Sequence, residues 1–432
     1  MGLEARTQAI GRELLARARQ EHAHLSSLNR WTTQLLRWCL ADPHVKSQVL
    51  RFLDVLPSLT TPRAVVRHLR EYFPTDAWRL PAALRLGVRL ARPGLLTAPT
   101  VSFMVHQMVK QVAQQFIAGA HPEDAVSVMQ RLASRGMLVS FDVLGEQVTS
   151  EQEADRYAHG YLNVLTRPTL HLSIKPSSLT PNFDPLSFDD SLSRALARLR
   201  PIAQRAVETD SALTLDMEQV EYRDLTLALA KRVLEEPGLG ERIRLGVVIQ
   251  AYLTDAEAVT SELLQWLSAH HRRLAIRLVK GAYWDYEVAN ALQRGWPIPV
   301  SREKWQTDRT FERLTERLLS ASPMVRPEIA SHNLRSIAHA MAVAEELSMP
   351  KEAVEFQLLY GMGEAICAAV TSLDWPVRVY APVGELIPGM AYLVRRLLEN
   401  TANESFLLQD FLEAASAETL LTPPAPNGGS HG

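Results

Sequence analysis

The spacing of hydrophobic residues changes along the chain, and the first part has the spacing of amphipathic helices. Up to about residue 115, apolar residues recur every three or four positions with Arg and Glu between them. These residues are Leu14, Leu15, Trp31, Leu35, Leu36, Trp38, Leu50, Phe52 and Leu53. Prolines that predict turns separate the stretches, at Pro57, Pro62, Pro74 and Pro81. The pattern predicts an all-helical arm over residues 1–115, acting as a scaffold or clamp.

From residue 116 onward, short apolar runs alternate with helical patterns. The runs are Met137–Asp142, Thr169–Pro176, Ala212–Asp216, Leu245–Gln250, Ile276–Trp284, Glu328–Asn333, Val354–Leu359 and Val377–Tyr380. Eight strands that alternate with helices predict an α/β fold, a (β/α)8 TIM-type barrel over residues 116–410. A doubly wound sheet is the alternative, but Gly361-Met362-Gly363 lacks the third glycine of a dinucleotide-binding loop. Residues 411–432 form a tail whose Pro- and Gly-rich end is predicted to be disordered.

The fifth run carries cations within an apolar strand. In Ile276–Trp284, Arg277 and Lys280 interrupt β-branched and aliphatic residues, and Gly281 follows the lysine. Buried cations are costly unless a partner or a ligand neutralises them, and glycine allows a ligand to come close. The run predicts an anionic ligand at the end of a strand. A buried ion pair within the fold, with the aromatic residues as packing, remains the alternative.

Polar residues also occur at or near the ends of most predicted strands. They are Lys175, Asp216, Gln250, Arg277, His332, Gln357 and Tyr380. In a barrel of parallel strands these ends converge on one face, where active sites are built. The arrangement predicts an active site there, and a structural polar network that caps the core is the alternative.

The last predicted helix, Met390–Asn400, carries a second candidate for ligand binding. Its residues Tyr392, Arg395, Arg396 and Glu399 are spaced by three and four, so most of them share one face. Two adjacent arginines can hold a carboxylate with bidentate geometry. A solvated helix with an ordinary Arg–Glu pair explains the same residues equally well.

Composition and charge exclude several classes of protein. The 432 residues are 47% hydrophobic and carry a formal net charge of −2, so we expect no nucleic-acid partner. Cys39 and Cys367 stand in neither metal nor redox spacing, and we expect no metal site. The longest uncharged run, Pro93–Val109, is too short to span a bilayer, and the start lacks an apolar signal core. We therefore expect a cytoplasmic protein, for which a peripheral contact with the membrane face stays open.

Nine segments, taken together, resemble the proline dehydrogenase flavoenzymes. They are Phe141–Glu146, Ser173–Ser177, Leu215–Glu218, Gln250–Tyr252, Arg277–Trp284, Ser331–Asn333, Gln357–Gly363, Tyr380–Gly384 and Tyr392–Asn400. They follow the family's order, and the resemblance is strongest to the dehydrogenase half of the bifunctional bacterial proline utilisation proteins. Tyr360 departs from the pattern, since many relatives have histidine there. The resemblance implies FAD at the mouth of a distorted (β/α)8 barrel.

The resemblance also implies roles for individual residues. The residues implied to line the FAD are Met217, Gln250, Arg277, Val279, Lys280, Gly281, Ala282, Trp284, Ser331, His332 and Gln357. Arg277 is implied to lie by the flavin N5 and Asp216 to be the active-site acid. The residues implied to bind substrate are Lys175, Arg395 and Arg396 at the carboxylate, Glu399 as their orienting partner, and Tyr380, Tyr392 and Leu359 around the ring.

The implied reaction is the oxidation of L-proline to Δ1-pyrroline-5-carboxylate by hydride transfer from C5 to flavin N5. A membrane quinone is the implied electron acceptor. Tyr380 favours proline, because relatives that prefer hydroxyproline carry a smaller residue there. We expect no aldehyde dehydrogenase module here, so a pyrroline-5-carboxylate dehydrogenase acts in trans or belongs to a longer chain. Two alternatives are a catalytically silent barrel that serves as scaffold for that enzyme, and a flavin oxidoreductase for another cyclic amino acid.

Overall fold

Eight parallel strands form a closed barrel in the computed structural model, which describes residues 2–25, 43–73, 97–120, 122–144, 147–384, 389 and 416–426. Each strand pairs with the next one in the chain, and β8 pairs with β1 to close the ring. The strands are β1 Leu138–Val143, β2 His171–Ile174, β3 Ala212–Leu215, β4 Arg244–Gln250, β5 Leu274–Val279, β6 Val325–Ala330, β7 Glu355–Leu359 and β8 Val377–Val383. The predicted (β/α)8 fold class is confirmed.

Helices precede the barrel and surround it. The helices are α1 Leu3–Leu25, α2 Pro43–Val55, α3 Pro62–Tyr72, α4 Ala98–Ala113, α5 Pro122–Ala133, α6 Glu151–Val164, α7 Phe188–Glu208, α8 Arg223–Glu235, α9 Ala256–Ala269, α10 Trp284–Arg294, α11 Lys304–Ser320, α12 Leu334–Glu346, α13 Glu364–Thr371 and α14 Ala417–Leu420. None of the helices in the described ranges is long and apolar enough to cross a membrane. The predicted division into arm, barrel and tail remains a prediction.

Strands β5 and β6 differ most from their predicted positions. The run predicted for β5 extends to Trp284, whereas the strand ends at Val279 and Trp284 begins helix α10. Strand β6 is shifted toward the N-terminus. The prediction placed it at Glu328–Asn333, whereas the strand covers Val325–Ala330 and ends before Ser331. Asn333 instead caps helix α12, because its side chain accepts a hydrogen bond from the backbone N–H of Ser336 at 3.0 Å. Polar residues that seemed to end a strand thus belong to the loop and to the helix that follows. The loop places them at the barrel mouth.

Buried apolar side chains between the strands and the surrounding helices hold the barrel together. Along β5, Ile276 and Leu278 are fully buried and lie on the opposite face of the strand from Arg277, because side chains alternate along a strand. Arg277 bonds to residues of β2 and β7 and to Asp216 after β3. The buried Phe311 of α11 and Ile337 of α12 belong to the same hydrophobic core. Arg277, between the two aliphatic residues, therefore faces the barrel interior. The alternation that builds the core also directs this cation toward the barrel axis.

Helix α1 is packed into the wall of the barrel between α12 and α13. Leu14 of this helix is completely buried. The buried guanidinium of Arg335 on α12 donates to both carboxylate oxygens of Glu4 at 2.9 Å. It also donates to the Leu421 carbonyl at 2.9 Å and to Glu312 at 2.7 Å. One arginine thus ties the first helix and a segment near residue 421 to the barrel.

Replacing Leu14 by alanine is expected to destabilise the protein by about 2–5 kcal/mol, because it removes buried methyl groups and leaves a cavity between α1 and the barrel. The measurement is the midpoint of urea unfolding. Arg12→Ala is the control, since Arg12 is exposed on the same helix and its loss is expected to change stability by less than about 0.5 kcal/mol. Equal midpoints for the two variants would contradict a stabilising role for the packing of α1.

Candidate active site

A pocket of about 240 Å³ lies at the carboxyl ends of the barrel strands. Every strand from β1 to β8 contributes to its lining, either directly or through the loop that follows it. The lining residues are Asp142, Lys175, Asp216, Met217, Glu218, Val248, Gln250, Arg277, Val279, Lys280, Gly281, Ala282, Tyr283, Lys304, Ala330, Ser331, His332, Asn333, Gln357, Leu358, Leu359 and Tyr380. The barrel mouth is therefore a mixed polar and apolar cavity, the common form of a small-molecule site.

Arg277 occupies the centre of the polar network in this pocket. One terminal nitrogen of its guanidinium donates to Asp216 Oδ1 at 2.6 Å, and the other donates to Ser173 Oγ at 3.1 Å. Its Nε donates to Gln357 Oε1 at 2.6 Å. Arg277 is only 4% exposed, so these partners replace the water it has lost. Hydrogen bonds to residues of three different strands or strand ends thus fix the orientation of the guanidinium.

Asp216 joins Arg277 to a second side chain of the pocket. Its other oxygen, Oδ2, accepts a hydrogen bond from the Tyr380 hydroxyl at 2.7 Å. The guanidinium of Arg277 also lies 5.3 Å from the centre of the Tyr380 ring. Burial raises the pKa of Asp216, while Arg277 acts in the opposite direction. Asp216 thus fixes both a cation and an aromatic ring.

Lys175 is a second, largely buried cation of the pocket. Its Nζ lies 2.6 Å from Asp142 Oδ1, and its side chain is 14% exposed. Burial disfavours its charge, yet Asp142 and Asp216 raise the pKa of Lys175 above the usual lysine value. Lys175 is therefore a permanent cation at neutral pH and suits the binding of an anionic group.

The wall formed by β4, β5 and the loop after β5 has features that fit a flat polar ring. Gln250 is 3% exposed, and its Oε1 has no hydrogen-bond donor among the described residues. Its Nε2 donates to the Glu218 carbonyl at 3.1 Å. Gln250 Oε1 could accept a hydrogen bond from the ring N–H of an isoalloxazine, and this would satisfy the buried oxygen.

Gly281 is packed closely against Tyr252 on the same wall. Its φ is +124°, and a Cβ at this position would lie 2.5 Å from the ring of Tyr252. Lys280, beside it, is paired with Asp308, although burial lowers the pKa of Lys280. A side chain at position 281 would collide with the Tyr252 ring, so this packing requires glycine.

Most of the predicted site residues line this single pocket. Those that do are Lys175, Asp216, Met217, Gln250, Arg277, Val279, Lys280, Gly281, Ala282, Ser331, His332, Gln357, Leu359 and Tyr380. Trp284 lies outside the lining, and its indole donates to the Ser301 carbonyl at 2.9 Å. The helix with Tyr392, Arg395, Arg396 and Glu399 lies outside the described residues. The individual roles assigned to all these residues remain predictions.

The structure places two of the predicted site residues within strands and adds two residues that were not predicted. Arg277 is the fourth of six residues in β5 and Tyr380 is the fourth of seven in β8, so both come from within strands. Sequence reasoning did not assign a role to Asp142, the partner of Lys175, or to Glu218, which holds Gln250 through its carbonyl. Both belong to the segments that carry the resemblance. For Asp142 the available signal was its position as the last residue of the first predicted strand.

Comparison with known proteins places the chain in a family. The sequence model of proline dehydrogenase matches residues 125–409, and that of the proline utilization A N-terminal domain matches residues 4–116. The bifunctional protein PutA of Salmonella typhimurium is 32% identical over 327 residues, which cover 72% of this chain and 25% of that protein. Proline dehydrogenase 1 of Bacillus subtilis is 30% identical, and the match covers 70% of this chain and 91% of the relative.

A solved structure agrees with these matches. The proline utilization A of Bdellovibrio bacteriovorus, inactivated by N-propargylglycine, superimposes with a TM-score of 0.86 at 34% identity. The match covers 98% of this chain and 44% of that one, so the chain spans less than half of this relative. The family model, the sequence relatives and the barrel agree, and the chain belongs to the proline dehydrogenase family.

Proposed function

We propose that this protein oxidises L-proline to Δ1-pyrroline-5-carboxylate with FAD as cofactor, the first step of proline degradation to glutamate. The observation that carries the proposal is the largely buried cation Lys175 in the same pocket as Arg277 and the unpaired acceptor of Gln250. FAD, when bound, supplies the acceptor for the hydride that leaves C5 of proline. Family membership supports both substrate and cofactor.

The chain's own residues explain how FAD would be held. Gln250 offers its free acceptor to a ring N–H, and Gly281 lines the same pocket. The other proposed cofactor contacts are the lining residues Met217, Arg277, Val279, Lys280, Ala282, Ser331, His332 and Gln357, and Trp284, which lies outside the lining and is 41% exposed. The Nε2 atom of His332 accepts from the Leu359 N–H at 3.1 Å, which fixes its ring. We propose that Arg277 lies by the flavin N5.

Binding of proline depends on cations around its carboxylate. Lys175 supplies one of them, and we propose that Arg395 and Arg396, oriented by Glu399, supply two more. Proline must lose its ammonium proton before oxidation, because the developing imine needs the nitrogen lone pair. Nearby cations favour the neutral amine. Tyr380 and Leu359, together with Tyr392, enclose the ring.

The proposed electron acceptor is a membrane quinone, which implies a peripheral contact with the membrane. The proposed consumer of the product is a pyrroline-5-carboxylate dehydrogenase, on another chain or in the remainder of a longer protein. The bifunctional relatives support this arrangement. A catalytically silent scaffold is disfavoured, because Lys175, Asp216 and Arg277 lie together in one pocket. An oxidoreductase for a bulky or uncharged substrate is disfavoured by the same cations and by Tyr380.

Anaerobic L-proline is expected to bleach the flavin absorbance of the FAD-loaded protein. The measurement is the visible spectrum before and after addition, with D-proline as the control for stereochemistry. A flavin that stays oxidised would contradict the substrate assignment but not the cofactor. Failure to bind FAD after reconstitution would overturn the proposed function and leave the scaffold alternative.

Changing Lys175 to methionine is expected to raise KM for proline at least about tenfold, a loss of about 1.4 kcal/mol in substrate binding. Steady-state kinetics at saturating electron acceptor measure the effect. Because the single change leaves the buried Asp142 unpaired, Lys175→Met with Asp142→Asn is measured as well. Arg198→Met is the control, since Arg198 is also largely buried and paired with acids, but on the outer wall. An unchanged KM in both site variants would refute the carboxylate contact.

Tyr380 is expected to set the preference for proline over hydroxyproline. Tyr380→Ser removes the ring and is expected to raise the ratio of kcat/KM for hydroxyproline to that for proline. Tyr380→Phe is the matched control, because it keeps the bulk of the ring and loses only the hydrogen bond to Asp216. Competition kinetics with both substrates measure the ratio. An equal rise in both variants would assign specificity to the hydrogen bond rather than to the ring.

A further inference from the structure

The side-chain amide of Gln357 lies between two carboxylates and the guanidinium of Arg277. Its Nε2 donates to Glu328 Oε2 at 2.7 Å and to Glu355 Oε1 at 2.8 Å. Its Oε1 accepts from Arg277 Nε at 2.6 Å. Gln357, Glu328 and Glu355 are each at most 3% exposed. Water therefore does not compete for these bonds.

The two carboxylates permit only one orientation of this amide. The NH2 group of Gln357 has two hydrogens, and each has its own carboxylate acceptor. A rotation by 180° would turn the amide oxygen toward two carboxylates and the NH2 group toward a cation. In a buried site each of these contacts would leave a polar group unpaired. The amide oxygen is thereby kept facing Arg277.

The orientation of Gln357 in turn fixes Arg277. The Nε and both terminal nitrogens of a guanidinium lie in one plane, so a bond at Nε restricts the rotation of the whole group. Asp216 holds one terminal nitrogen at 2.6 Å. Without the bond to Gln357, the 3.1 Å bond to Ser173 would be the remaining hydrogen bond among the described residues that restricts rotation about that contact.

We propose that Glu328, with Glu355 beside it, is a positioning residue that holds Arg277 against the flavin by fixing the Gln357 amide. The inference rests on the proposed function, because it gives Arg277 a flavin to face. It adds a layer of residues behind the pocket, on β6 and β7, which do not touch the substrate. Neither carboxylate lines the active-site pocket.

Titratable side chains on five strands surround Glu328 and influence its pKa. Arg277 Nε lies 3.8 Å from Glu328 Oε2. Burial and the neighbouring Glu355 raise the pKa of Glu328 to about 7, with Arg277, Arg378 and Arg326 opposing this. Burial lowers the pKa of His171 well below its usual range, so this nearby imidazole is neutral. A neutral group at position 328 is thus compatible with the site, provided that it still offers an oxygen to Gln357.

A cation site is the alternative for the same carboxylates. Ligand atoms of His171, Glu328 and Glu355 lie within 4.8 Å of one another. However, Arg378 already donates to both oxygens of Glu355, at 2.6 and 2.9 Å. His171 Nε2 is likewise engaged with Thr214 Oγ1 at 2.7 Å. The surrounding guanidiniums supply the positive charge that a metal ion would supply.

The test is a double-mutant cycle between positions 328 and 357, measured on the FAD-loaded protein. Glu328→Leu removes the acceptor, Glu328→Gln keeps one, and Gln357→Leu removes the link to Arg277. Glu328 is the carboxylate to change, because Glu355 also pairs with Arg378 and Arg326. Glu312→Leu is the control, since it removes a largely buried, arginine-paired carboxylate from the outer wall. The readouts are the flavin reduction potential, the FAD dissociation constant, and kcat and KM for proline.

Glu328→Leu is expected to lower kcat about tenfold or more with little change in KM, and to shift the flavin potential. Glu328→Gln is expected to recover most of both. In the Gln357→Leu background, Glu328→Leu is expected to have a much smaller effect, because the link is already lost and the direct 3.8 Å contact of Glu328 with Arg277 is what remains. The Glu312→Leu control is expected to change stability alone.

Additive effects in the cycle, or a Glu328→Gln variant as impaired as Glu328→Leu, would overturn the positioning role. Failure of the proposed function looks different, because the unmodified protein would then bind FAD without being reduced by proline. The flavin potential and the FAD dissociation constant would still complete the cycle in that case.

Discussion

A guanidinium inside a closed barrel must be neutralised by the barrel itself, and Arg277 imposes this constraint on the structure. Transfer of such a group from water is costly unless charges and hydrogen bonds replace its hydration. The replacements come from Asp216 after β3, Ser173 on β2 and Gln357 on β7. These strands are distant in sequence, so the cation can be buried only when the barrel has closed. The same closure forms the pocket.

The network around Arg277 extends in two directions. Toward the mouth, Asp216 connects it to Tyr380, and Lys175 lies nearby in its pair with Asp142. Toward the base, Gln357 connects it to Glu328 and Glu355. The first direction carries groups suited to contact with substrate. The second carries groups that determine where the first ones stand, which is why buried acids behind an active site can matter for its chemistry.

A second buried arginine has a similar role on the outside of the barrel. Arg335 binds Glu4, Glu312 and the Leu421 carbonyl, which are separated from one another by more than a hundred residues in the chain. The N-terminal helix thereby forms part of the barrel wall. Its amphipathic pattern identified a helix but gave no information about the surface that it covers, because any apolar groove would satisfy that pattern.

The sequence by itself determined the alternation of strands and helices, hence the barrel, and the polar residues at or near the strand ends, whereas most of the other predicted lining residues came from the resemblance to proline dehydrogenases. This succeeded because parallel strands are continuous apolar runs whose ends converge. Sequence reasoning failed at β6, where Asn333 was assigned to the strand but caps a helix. It also left Asp142, Glu328 and Glu355 without a role in the site. Only the tertiary structure decided which acid pairs with which cation, because a side chain's charge is local information whereas its partner is chosen by strand register and barrel closure.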